Sequence, residues 1–517
     1  MLLNGQVLKT CNCAAKVPQK GCNCTGKPSG LPVTGTTANT ASPSPAASID
    51  AGIFKAYDIR GVVDRTLTQA AVRAIGAALG SEALGRDVHE ITVGRDGRLS
   101  GPMLRDALIE GIRSTGVGVA DIGQVATPML YFATYQLGNG SGVEITGSHN
   151  PPEYNGLKIV LAGEALYGEG LQALRRRIAS GDLVRADVPG ALRSVDIRQA
   201  YLDRIRDPAK DGVRLARPMK IVIDCGNGVA GSVAGDLNRS LGCEVTELFC
   251  EVDGNFPNHH PDPAHPENLQ DLIAAVRRTG ADLGLAFDGD GDRLGVVTRN
   301  GKIIYPDRQI MLFARDVLAA RPGAEIVFDV KCTRHIAPWV RRLGGRPTMW
   351  RTGHSLIKAR LRETGAAFAG EMSGHLFFND RWYGFDDGLY AGARLLEILS
   401  RSADPSAELE ALPDASSTPE LQLATAEGEN VRLVERLRAL TADPAQAARY
   451  FTGAQEFITI DGIRVEYPDG FALARPSNTT PVVVLRFEAD NAAALARIQG
   501  AFRSAIAAVA PGVAVPF

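Results

Sequence analysis

Short apolar runs alternate with longer amphipathic stretches along most of the chain. Runs such as Ile91–Val93 and Ile221–Ile223 have the length and composition of buried strands. The stretch that follows the first run places Leu104, Leu108 and Ile112 at the spacing of one helical face. This alternation predicts mostly parallel sheets covered by helices.

The pattern repeats and then changes towards the C-terminus. A second unit extends from Ile221–Ile223 to the apolar segment Leu283–Phe287, and a third contains Ile326–Phe328 and Ala367–Ala369. The last unit has strand-like segments between residues 457 and 485, followed by a single amphipathic helix. We therefore predict an α/β protein of three tandem α/β domains with mixed, mostly parallel sheets, plus a C-terminal α+β domain.

The length of 517 residues fits about three to four domains. The predicted divisions are a disordered, cysteine-containing N-terminal extension (1–49), α/β domain I (50–195), α/β domain II (196–302), α/β domain III (303–413) and α+β domain IV (414–517).

Composition narrows the classes of function. A formal net charge of −2 argues against a nucleic-acid partner, which would require a basic excess. The sequence contains no apolar run near the roughly 20 residues that cross a bilayer, and it has no secretory signal at its polar start. We expect a cytoplasmic protein with no membrane association and no obligate protein partner.

The eight cysteines fall into two groups. Cys225, Cys243, Cys250 and Cys332 lie in apolar or strand-like settings, as free thiols of a reducing compartment do. The other four form two Cys-Asn-Cys triplets in the N-terminal extension, at positions 11–13 and 22–24. They could bind zinc, although structural zinc sites usually place two residues between paired cysteines. The Ser-, Thr-, Ala- and Pro-rich segment around them favours a disordered tail.

Ser148 is the candidate nucleophile. It follows the strand-like run Gly142–Ile145 in the turn Thr146–Pro152, where Gly, Asn and Pro can hold a hydroxyl exposed for phosphorylation. The alternative is an ordinary turn serine. A serine-hydrolase elbow is excluded because Asn150, not Gly, lies two residues after Ser148.

Asp288, Asp290 and Asp292 are separated by single glycines and are candidate ligands for Mg²⁺. A calcium-binding EF-hand would need Gly at its sixth position and Glu at its twelfth, where this chain has Arg293 and Arg299. An arginine beside the carboxylates instead suits a site that also receives phosphate.

The segment Arg475–Thr480 combines a guanidinium group, hydroxyl groups and backbone donors in one loop. Such a loop can bind a phosphate dianion without a metal ion. The alternative is a Ser-Asn-Thr turn between two strands.

These segments occur together with several others in a fixed order over more than four hundred residues. The order is Phe54–Gly61, Val93–Asp96, Thr146–Pro152, Asp224–Gly228, Asp288–Arg293, Asp329–Lys331, Gly353–Ser355, Gly370–His375 and Arg475–Thr480. On these motifs the chain resembles the α-D-phosphohexomutase superfamily, and most of all its bacterial phosphomannomutase/phosphoglucomutase group.

The resemblance implies four domains around a central cleft and an isomerase that acts on hexose phosphates. Its members move a phosphoryl group between C1 and C6 of mannose and glucose phosphates. A phosphoserine enzyme and a hexose 1,6-bisphosphate intermediate carry the reaction, and the cofactors implied are Mg²⁺ and glucose 1,6-bisphosphate as activator.

Residue roles follow from the same resemblance. The catalytic group would be Ser148, Arg60, Lys158 and His375, the metal ligands Asp288, Asp290, Asp292 and Ser148, and the substrate-binding residues Tyr57, Arg293, Lys331, His354, Glu371, Ser373, Arg475, Ser477, Asn478 and Thr479. Because arginine is a poor base, we expect Arg60 to act electrostatically, while Lys158 and His375 move protons. We expect His149 to orient the serine loop, which is the turn Thr146–Pro152 around Ser148.

Two alternatives share most of these motifs. Sugar choice is expected in the segment Gly370–His375, the sugar loop, where a carboxylate and a hydroxyl can bind two neighbouring sugar hydroxyls. A phosphoglucosamine mutase usually has Gln after the glutamate of this loop, whereas Met372 follows Glu371 here. A catalytically silent sugar-phosphate sensor would have lost Ser148 or one of the aspartates, and the chain retains them all.

The N-terminal extension is the subject of the first prediction. A chain that begins at Ile49 should keep the mutase kcat and the thermal midpoint of the full chain, because a Ser-, Thr-, Pro- and Ala-rich segment buries little apolar surface. Steady-state kinetics and thermal unfolding of both chains measure this. A large loss of either quantity, or stoichiometric zinc in the purified full chain, would contradict the prediction.

Overall fold

The computed structural model of the protein describes residues 49–478 and 480–517. The predictions made for the N-terminal cysteine triplets and for Thr479 lie outside the described residues. The described residues belong to one compact unit that contains four separate β-sheets.

The first sheet contains the strand that leads to Ser148. Its strands are β1 (Ile59–Val62), β2 (Glu90–Arg95), β3 (Gly118–Gln124), β4 (Gly142–Ile145), β5 (Tyr154–Leu161), β6 (Glu164–Ala165) and β7 (Leu192–Ser194). The associated helices are α1 (Gln69–Leu84), α2 (Gly101–Arg113), α3 (Thr127–Gln136) and α4 (Glu169–Ser180).

Parallel and antiparallel pairing are combined in this sheet. The order is β1-β5-β4-β2-β3-β7, with β6 paired to β5. Strands β4, β2, β3 and β7 are parallel, whereas β5 is antiparallel to both β4 and β1. Strands β4 and β5 are consecutive and antiparallel, so the loop between them lies at the C-terminal end of β4. That connection carries Ser148.

The second sheet repeats this arrangement around the aspartate loop. Its strands are β8 (Lys220–Asp224), β9 (Glu244–Leu248), β10 (Leu283–Phe287), β11 (Leu294–Thr298) and β12 (Ile303–Ile304), and its helices are α5 (Arg198–Arg206), α6 (Ala234–Ser240) and α7 (Gln270–Thr279). Strands β9, β8 and β10 are parallel, and β11 turns back antiparallel to β10. The β10–β11 turn contains the three aspartates.

The third sheet has the order β14-β13-β15-β16. Its strands are β13 (Glu325–Asp329), β14 (Arg346–Trp350), β15 (Phe368–Gly370) and β16 (Leu376–Phe378), and the helices around it are α8 (Pro306–Ala320), α9 (Ile336–Arg342), α10 (His354–Thr364), α11 (Gly388–Leu399) and α12 (Pro405–Glu410). Strand β15 runs parallel to β13, and β16 returns antiparallel to β15. The turn between β15 and β16 holds Glu371, Ser373 and most of the predicted sugar loop.

The fourth sheet is antiparallel throughout. Its strands are β17 (Ser416–Ser417), β18 (Leu421–Ala424), β19 (Glu456–Ile458), β20 (Ile463–Tyr467), β21 (Gly470–Pro476) and β22 (Val482–Ala489), and its helices are α13 (Glu429–Ala442), α14 (Pro444–Tyr450) and α15 (Ala492–Val509). Four short 3₁₀ helices complete the described elements, at Ala51–Ile53, Pro208–Lys210, Val229–Ser232 and Pro266–Leu269.

An aromatic cluster joins the first sheet's helix α3 to the second and third units. The Phe132 ring lies 5.6 Å from that of Tyr201 on α5 and stacks 6.0 Å from Trp382, which follows β16. Trp382 in turn stacks on Tyr390 of α11 at 4.3 Å. Buried aromatic rings at these separations stabilise their packing beyond area burial alone, so this cluster fixes how the first three units meet.

The predicted fold class is confirmed: three α/β units with mixed sheets and a fourth α+β unit surround a cleft. The domain boundaries remain a prediction. Cys225, Cys243, Cys250 and Cys332 are free, as expected. Within the described residues, every helix is too short or too polar to span a bilayer.

The aromatic cluster is the basis for the second prediction. Phe132→Ala should lower the free energy of unfolding by about 3–5 kcal/mol, because it removes a fully buried ring from a site that neighbours cannot refill. Urea unfolding followed by tryptophan fluorescence measures the change. Val188→Ala is the control, since Val188 is 75% exposed and should cost little. Equal unfolding midpoints for the two variants would contradict the role given to the cluster.

Candidate active site

One cleft of about 1300 Å³ brings most of the candidate residues together. Its lining includes Tyr57, Arg60, Ser148, Lys158, Arg293, Lys331, His354, Glu371, Ser373, His375, Arg475, Ser477 and Asn478. The three aspartates lie directly behind this surface and are fully buried. These residues are far apart in the sequence, but they follow strand ends of different sheets that all border the same cleft.

Ser148 lies at the junction of the first two units. Its Oγ donates a hydrogen bond to Asp288 Oδ2 at 3.0 Å and lies 3.1 Å from Nδ1 of His149. Its backbone has a φ of +48°, which is left-handed and uncommon for a residue other than glycine. Only 2% of the residue is exposed. The candidate nucleophile is thus held rigidly against the aspartate loop.

Gly289 is required for this close approach. A Cβ atom at Gly289 would lie 2.4 Å from the carbonyl oxygen of Ser148. A side chain at this position would push the serine loop away from the aspartates. Gly289 therefore allows the aspartate loop to contact the Ser148 backbone, in addition to helping the loop turn.

The three carboxylates are close enough to share one ion. One oxygen atom from each of Asp288, Asp290 and Asp292 lies within 4.8 Å of the others. In the described part of the chain, Oδ1 of Asp290 and Oδ1 of Asp292 are buried without a hydrogen-bond partner. Unpaired buried carboxylate oxygens are costly unless a cation satisfies them. An all-oxygen donor set of this kind fits Mg²⁺.

Lys158 on β5 supplies positive charge to the loop. Its ammonium group donates hydrogen bonds to Asp290 Oδ2 at 2.7 Å and to Asp292 Oδ2. Burial would lower the pKa of Lys158, but the charges of these two aspartates outweigh it and raise the pKa above its usual value. Lys158 is therefore a buried, charged partner of the carboxylates.

The aspartates respond unequally to this environment. Burial, followed by the charges of Asp290 and Asp292, raises the pKa of Asp288 well above its usual range. Burial also acts to raise the pKa of Asp290, but the charge and hydrogen bond of Lys158 reverse this and lower it. The three carboxylates thus repel one another strongly, and a cation is needed to keep all of them ionised.

Arg60 on β1 also contacts the serine loop. Its guanidinium group donates to the Gly147 carbonyl oxygen at 3.2 Å and to Oδ1 of Asn150, and it pairs with Asp58. Arg60 thus places a fixed positive charge beside the nucleophile.

The contacts of His375 indicate which tautomer its neutral ring adopts. Arg293 Nε lies 3.1 Å from His375 Nε2 and can only donate, so Nε2 is the accepting nitrogen. The proton must then reside on Nδ1, which faces Asp386 Oδ2 at 3.1 Å and Asp292 Oδ1 at 3.4 Å. A neutral His375 therefore has its lone pair on the nitrogen next to Arg293.

His354, the first residue of α10, stacks on His375 with ring centroids 5.5 Å apart. Lys358, one turn further along α10, donates to Asp386 Oδ1 at 2.8 Å. Burial and then the charge of Lys358 lower the pKa of His354 well below its usual value, so this imidazole is neutral at physiological pH.

Glu371 occupies the centre of the predicted sugar loop. Its Oε1 accepts a hydrogen bond from the backbone nitrogen of Gly353, at the start of α10. Burial raises the pKa of Glu371 to about 7. Ser373 lines the same part of the cleft. The carboxyl group and the hydroxyl are therefore available to hydroxyls of a bound sugar.

The part of the cleft that borders the fourth unit, its far end, is cationic. Arg475 Nε donates to Asp461 Oδ2 at 2.9 Å, and among the described residues its Nη2 atom is buried without a hydrogen-bond partner. Lys331 donates to Glu420 Oε1 at 2.6 Å. A guanidinium with one free edge can receive a phosphate oxygen while keeping its structural ion pair.

Tyr57 connects three units across the cleft. Its hydroxyl donates to the carbonyl oxygen of Thr352 at 2.6 Å and accepts from Asn478 Nδ2. Thr352 N also donates to Asp461 Oδ2 at 3.0 Å. These bonds join the segment before β1, the segment after β14 and the loop after β21, so they tie three units together beside the cleft.

Sequence reasoning missed several residues that complete the site. Asp386, Lys358, Glu420 and Asp461 each contact a candidate residue, yet none lies in a recognised motif. Lys358 contacts His354 within α10, whereas the contacts of Asp386, Glu420 and Asp461 join separate elements, so the sequence spacing of those three carries no signal. Only the folded arrangement identifies them.

Comparison with known proteins supports the architecture. Four family models match the chain in order: phosphoglucomutase/phosphomannomutase alpha/beta/alpha domain I at residues 51–185, domain II at 199–301, domain III at 305–415, and the C-terminal domain at 420–505. A crystal structure of a phosphoglucomutase/phosphomannomutase family protein from Burkholderia thailandensis is similar, with 58% identity and a TM-score of 0.84. The match covers 91% of this chain and all of that one.

Curated relatives are similar over nearly their full lengths. The phosphoglucomutase of Neisseria gonorrhoeae is 56% identical over 460 residues, covering 89% of this chain and 98% of the relative. The phosphomannomutase/phosphoglucomutase of Pseudomonas aeruginosa is 54% identical over 477 residues, covering 92% of this chain and 100% of the relative. The chain therefore belongs to the phosphoglucomutase/phosphomannomutase family.

Proposed function

We propose that the chain interconverts mannose 1-phosphate with mannose 6-phosphate, and glucose 1-phosphate with glucose 6-phosphate, through a phosphorylated Ser148. The observation that carries this proposal is the 3.0 Å contact between Ser148 Oγ and Asp288, in a cleft that Arg475 also lines from the fourth unit. One end suits transfer of a phosphoryl group, and the other suits binding of a phosphate that does not react.

The reaction balances as two transfers. The bond between phosphorus and Ser148 Oγ breaks as a bond to the sugar 6-hydroxyl forms, which gives a hexose 1,6-bisphosphate. After this intermediate turns around, the bond between phosphorus and the oxygen on C1 breaks as Ser148 Oγ takes the phosphoryl group back. The proton returns to that oxygen, and the hexose 6-phosphate leaves. Glucose 1,6-bisphosphate would supply the first phosphoryl group to an unphosphorylated chain.

Asp288, Asp290 and Asp292 would hold Mg²⁺, with Ser148 or its phosphate completing the ligand set. When bound, the ion supplies positive charge to the phosphoryl oxygens. Lys158 and Arg293 add fixed cations at the same place. Because the ammonium group of Lys158 is committed to two aspartates, we assign it to charge neutralisation rather than to proton transfer.

His375 would accept the proton of the attacking sugar hydroxyl at Nε2 once Arg293, which donates to Nε2 in this conformation, turns to a phosphate oxygen. Its ring is held by Asp386 at Nδ1, so the lone pair points in a fixed direction. His149 is held against Ser148 and keeps the loop in place. Arg60 contributes an electrostatic contact to the serine loop, in keeping with its charge.

Sugar recognition would reside at Glu371 and Ser373, between the two ends. A carboxyl group and a hydroxyl can bind two neighbouring sugar hydroxyls in either orientation of the intermediate. The 2-hydroxyl, which distinguishes mannose from glucose, would then be left unread, and both sugars would be substrates. Activity on glucosamine 6-phosphate above that on mannose 1-phosphate would favour the phosphoglucosamine mutase alternative.

The four free thiols of the described residues are in keeping with a reducing compartment, and we propose a cytoplasmic location.

Phosphorylation of Ser148 is the central test. Incubation with glucose 1,6-bisphosphate should add one phosphate to the intact mass of the chain, and peptide mapping should place it on Ser148. Ser148→Ala should gain none, and removal of divalent ions with a chelator should slow the gain, since the buried carboxylates then repel the phosphoryl group. A phosphate mapped to any other residue would refute the assignment of the nucleophile.

Arg475 tests the other end of the cleft. Arg475→Ala should raise the KM for glucose 1-phosphate and for mannose 1-phosphate by similar factors of about ten to a hundred, since it removes a charge-assisted phosphate contact common to both. Turnover should also depend more strongly on added glucose 1,6-bisphosphate, because the intermediate would escape before it turns around.

Arg497→Ala is the matched control for this variant. Arg497 lies on α15, is about half exposed and pairs with Asp469. It should leave both KM values unchanged. If Arg475→Ala behaves in the same way as this control, the segment 475–480 is a structural turn and the two-ended site is wrong.

A further inference from the structure

Arg98 lies beneath the serine loop and has no role in the reaction as proposed above. It lies between β2 and α2 and is 1% exposed. Its Nη2 atom donates to the carbonyl oxygens of Ser148 at 2.8 Å and Asn150 at 2.6 Å, and its Nη1 atom donates to those of Pro151 at 2.6 Å and Tyr154 at 2.9 Å. One guanidinium group therefore binds three backbone carbonyls of the loop that carries the nucleophile and a fourth at Tyr154, the first residue of β5.

Asp96 completes the arrangement from the other side. Its Oδ2 lies 3.2 Å from Arg98 Nε and accepts a hydrogen bond from the backbone nitrogen of Gly147, also at 3.2 Å. Its Oδ1 accepts from the backbone nitrogen of Arg98 at 2.9 Å. Asp96 and Arg98 thus hold both the N–H side and the carbonyl side of the loop.

The loop is shaped around this guanidinium group. A Cβ atom at Gly147 would lie 2.4 Å from both Cζ and Nε of Arg98, so the loop backbone packs directly on the guanidinium. The next residue, Ser148, has the left-handed φ of +48°. A non-glycine residue keeps such a conformation only when its surroundings enforce it. The loop is also restrained by Arg60 at the Gly147 carbonyl oxygen and by the hydrogen bond from Ser148 N to Thr146 Oγ1 at 2.8 Å. Arg98 differs from these in binding four carbonyls at once, that of Ser148 included.

The second unit also contacts the same group. The Phe256 ring lies 5.1 Å from Cζ of Arg98, and Gly289 of the aspartate loop packs on the Ser148 carbonyl oxygen that Arg98 binds. Arg98 therefore sits where the serine loop meets the unit that carries the aspartates.

We infer that Arg98 is a positioning residue for phosphoryl transfer: it holds the Ser148 backbone in its left-handed conformation and so fixes Oγ beside Asp288. This inference rests on the proposed function. Arg98 binds only main-chain atoms of the loop, so it acts through Ser148 and not on the reacting atoms. Lysine cannot replace it, because a single ammonium group has three donors and lacks the planar geometry that spans four carbonyls.

The test compares Arg98→Lys with Arg394→Lys. Arg394 is the matched control, since it is also 1% exposed, pairs with Asp316 and Asp380, and lies over the Phe378 ring at 4.7 Å, away from the cleft. Both variants should lower the thermal midpoint. Only Arg98→Lys should slow phosphorylation of Ser148 by glucose 1,6-bisphosphate, and lower kcat, by about a hundredfold, because small displacements of a nucleophile have effects of that size.

The KM for glucose 1-phosphate should change by less than about threefold in Arg98→Lys, because the phosphate-binding end is untouched. In Arg98→Ala, added guanidinium ion should restore part of the phosphorylation rate, whereas ethylammonium ion should not. Rates in Arg98→Lys within about twofold of those in Arg394→Lys would overturn the inference, since a purely structural arginine predicts that result.

A second variant decides the matter if Arg98→Lys does not fold. Gly147→Ala retains Arg98, but its methyl group would force the guanidinium group and the loop backbone apart. A similar loss of Ser148 phosphorylation supports the inference, and an unchanged rate overturns it. Failure of the proposed function has a different signature, because the unmodified chain would then gain no phosphate on Ser148.

Discussion

Three buried carboxylates within five residues form the constraint on which the rest of the site depends. Two like charges 4 Å apart repel by about 4 kcal/mol at the effective dielectric constant of a protein. Asp288, Asp290 and Asp292 are fully buried and lie within reach of one ion, so they need cations close by. Lys158 and Arg293 provide two of these charges, and the unpaired oxygens of Asp290 and Asp292 mark where a divalent ion would bind.

This need for charge compensation ties the first three units together. Lys158 comes from the first sheet, Arg293 follows the aspartates in the second, and His375 and Asp386 reach the same place from the third. The apolar contacts between these units lie elsewhere, around Phe132 and Trp382. Apolar packing thus holds the units together, whereas the cleft is lined by ionised groups that neutralise one another.

The far end of the cleft has buried cations in place of buried carboxylates. Arg475 and Lys331 are buried cations that must remain stable when no phosphate is bound, and Asp461 and Glu420 provide their partners. These acids come from the fourth unit, as Arg475 does, whereas Lys331 follows the third sheet's β13. A left-handed serine at one end and prepaired cations at the other give the cleft two chemically distinct ends. The strain at Ser148, of about 1–3 kcal/mol, is carried by the surrounding hydrogen bonds.

The sequence alone determined the fold class and the residues whose chemistry is local. Strand and helix periods predicted the three α/β units and the last α+β unit, because burial of one face dictates those periods. Ser148, the aspartate loop and the segment from Arg475 could be found because each is a short run whose turn chemistry is visible in its own residues.

Only the tertiary structure decided how these runs meet. Asp386, Lys358, Asp461 and Arg98 hold the site residues, yet each does so across elements that are separate in the sequence. Lys158, predicted to be catalytic, pairs with two aspartates that no sequence pattern connects to it. Such contacts depend on where strand ends converge, and a single buried charge in a sequence gives no sign of its partner. The physical reason is that charge pairing is set by distance in space, whereas the sequence records only distance along the chain.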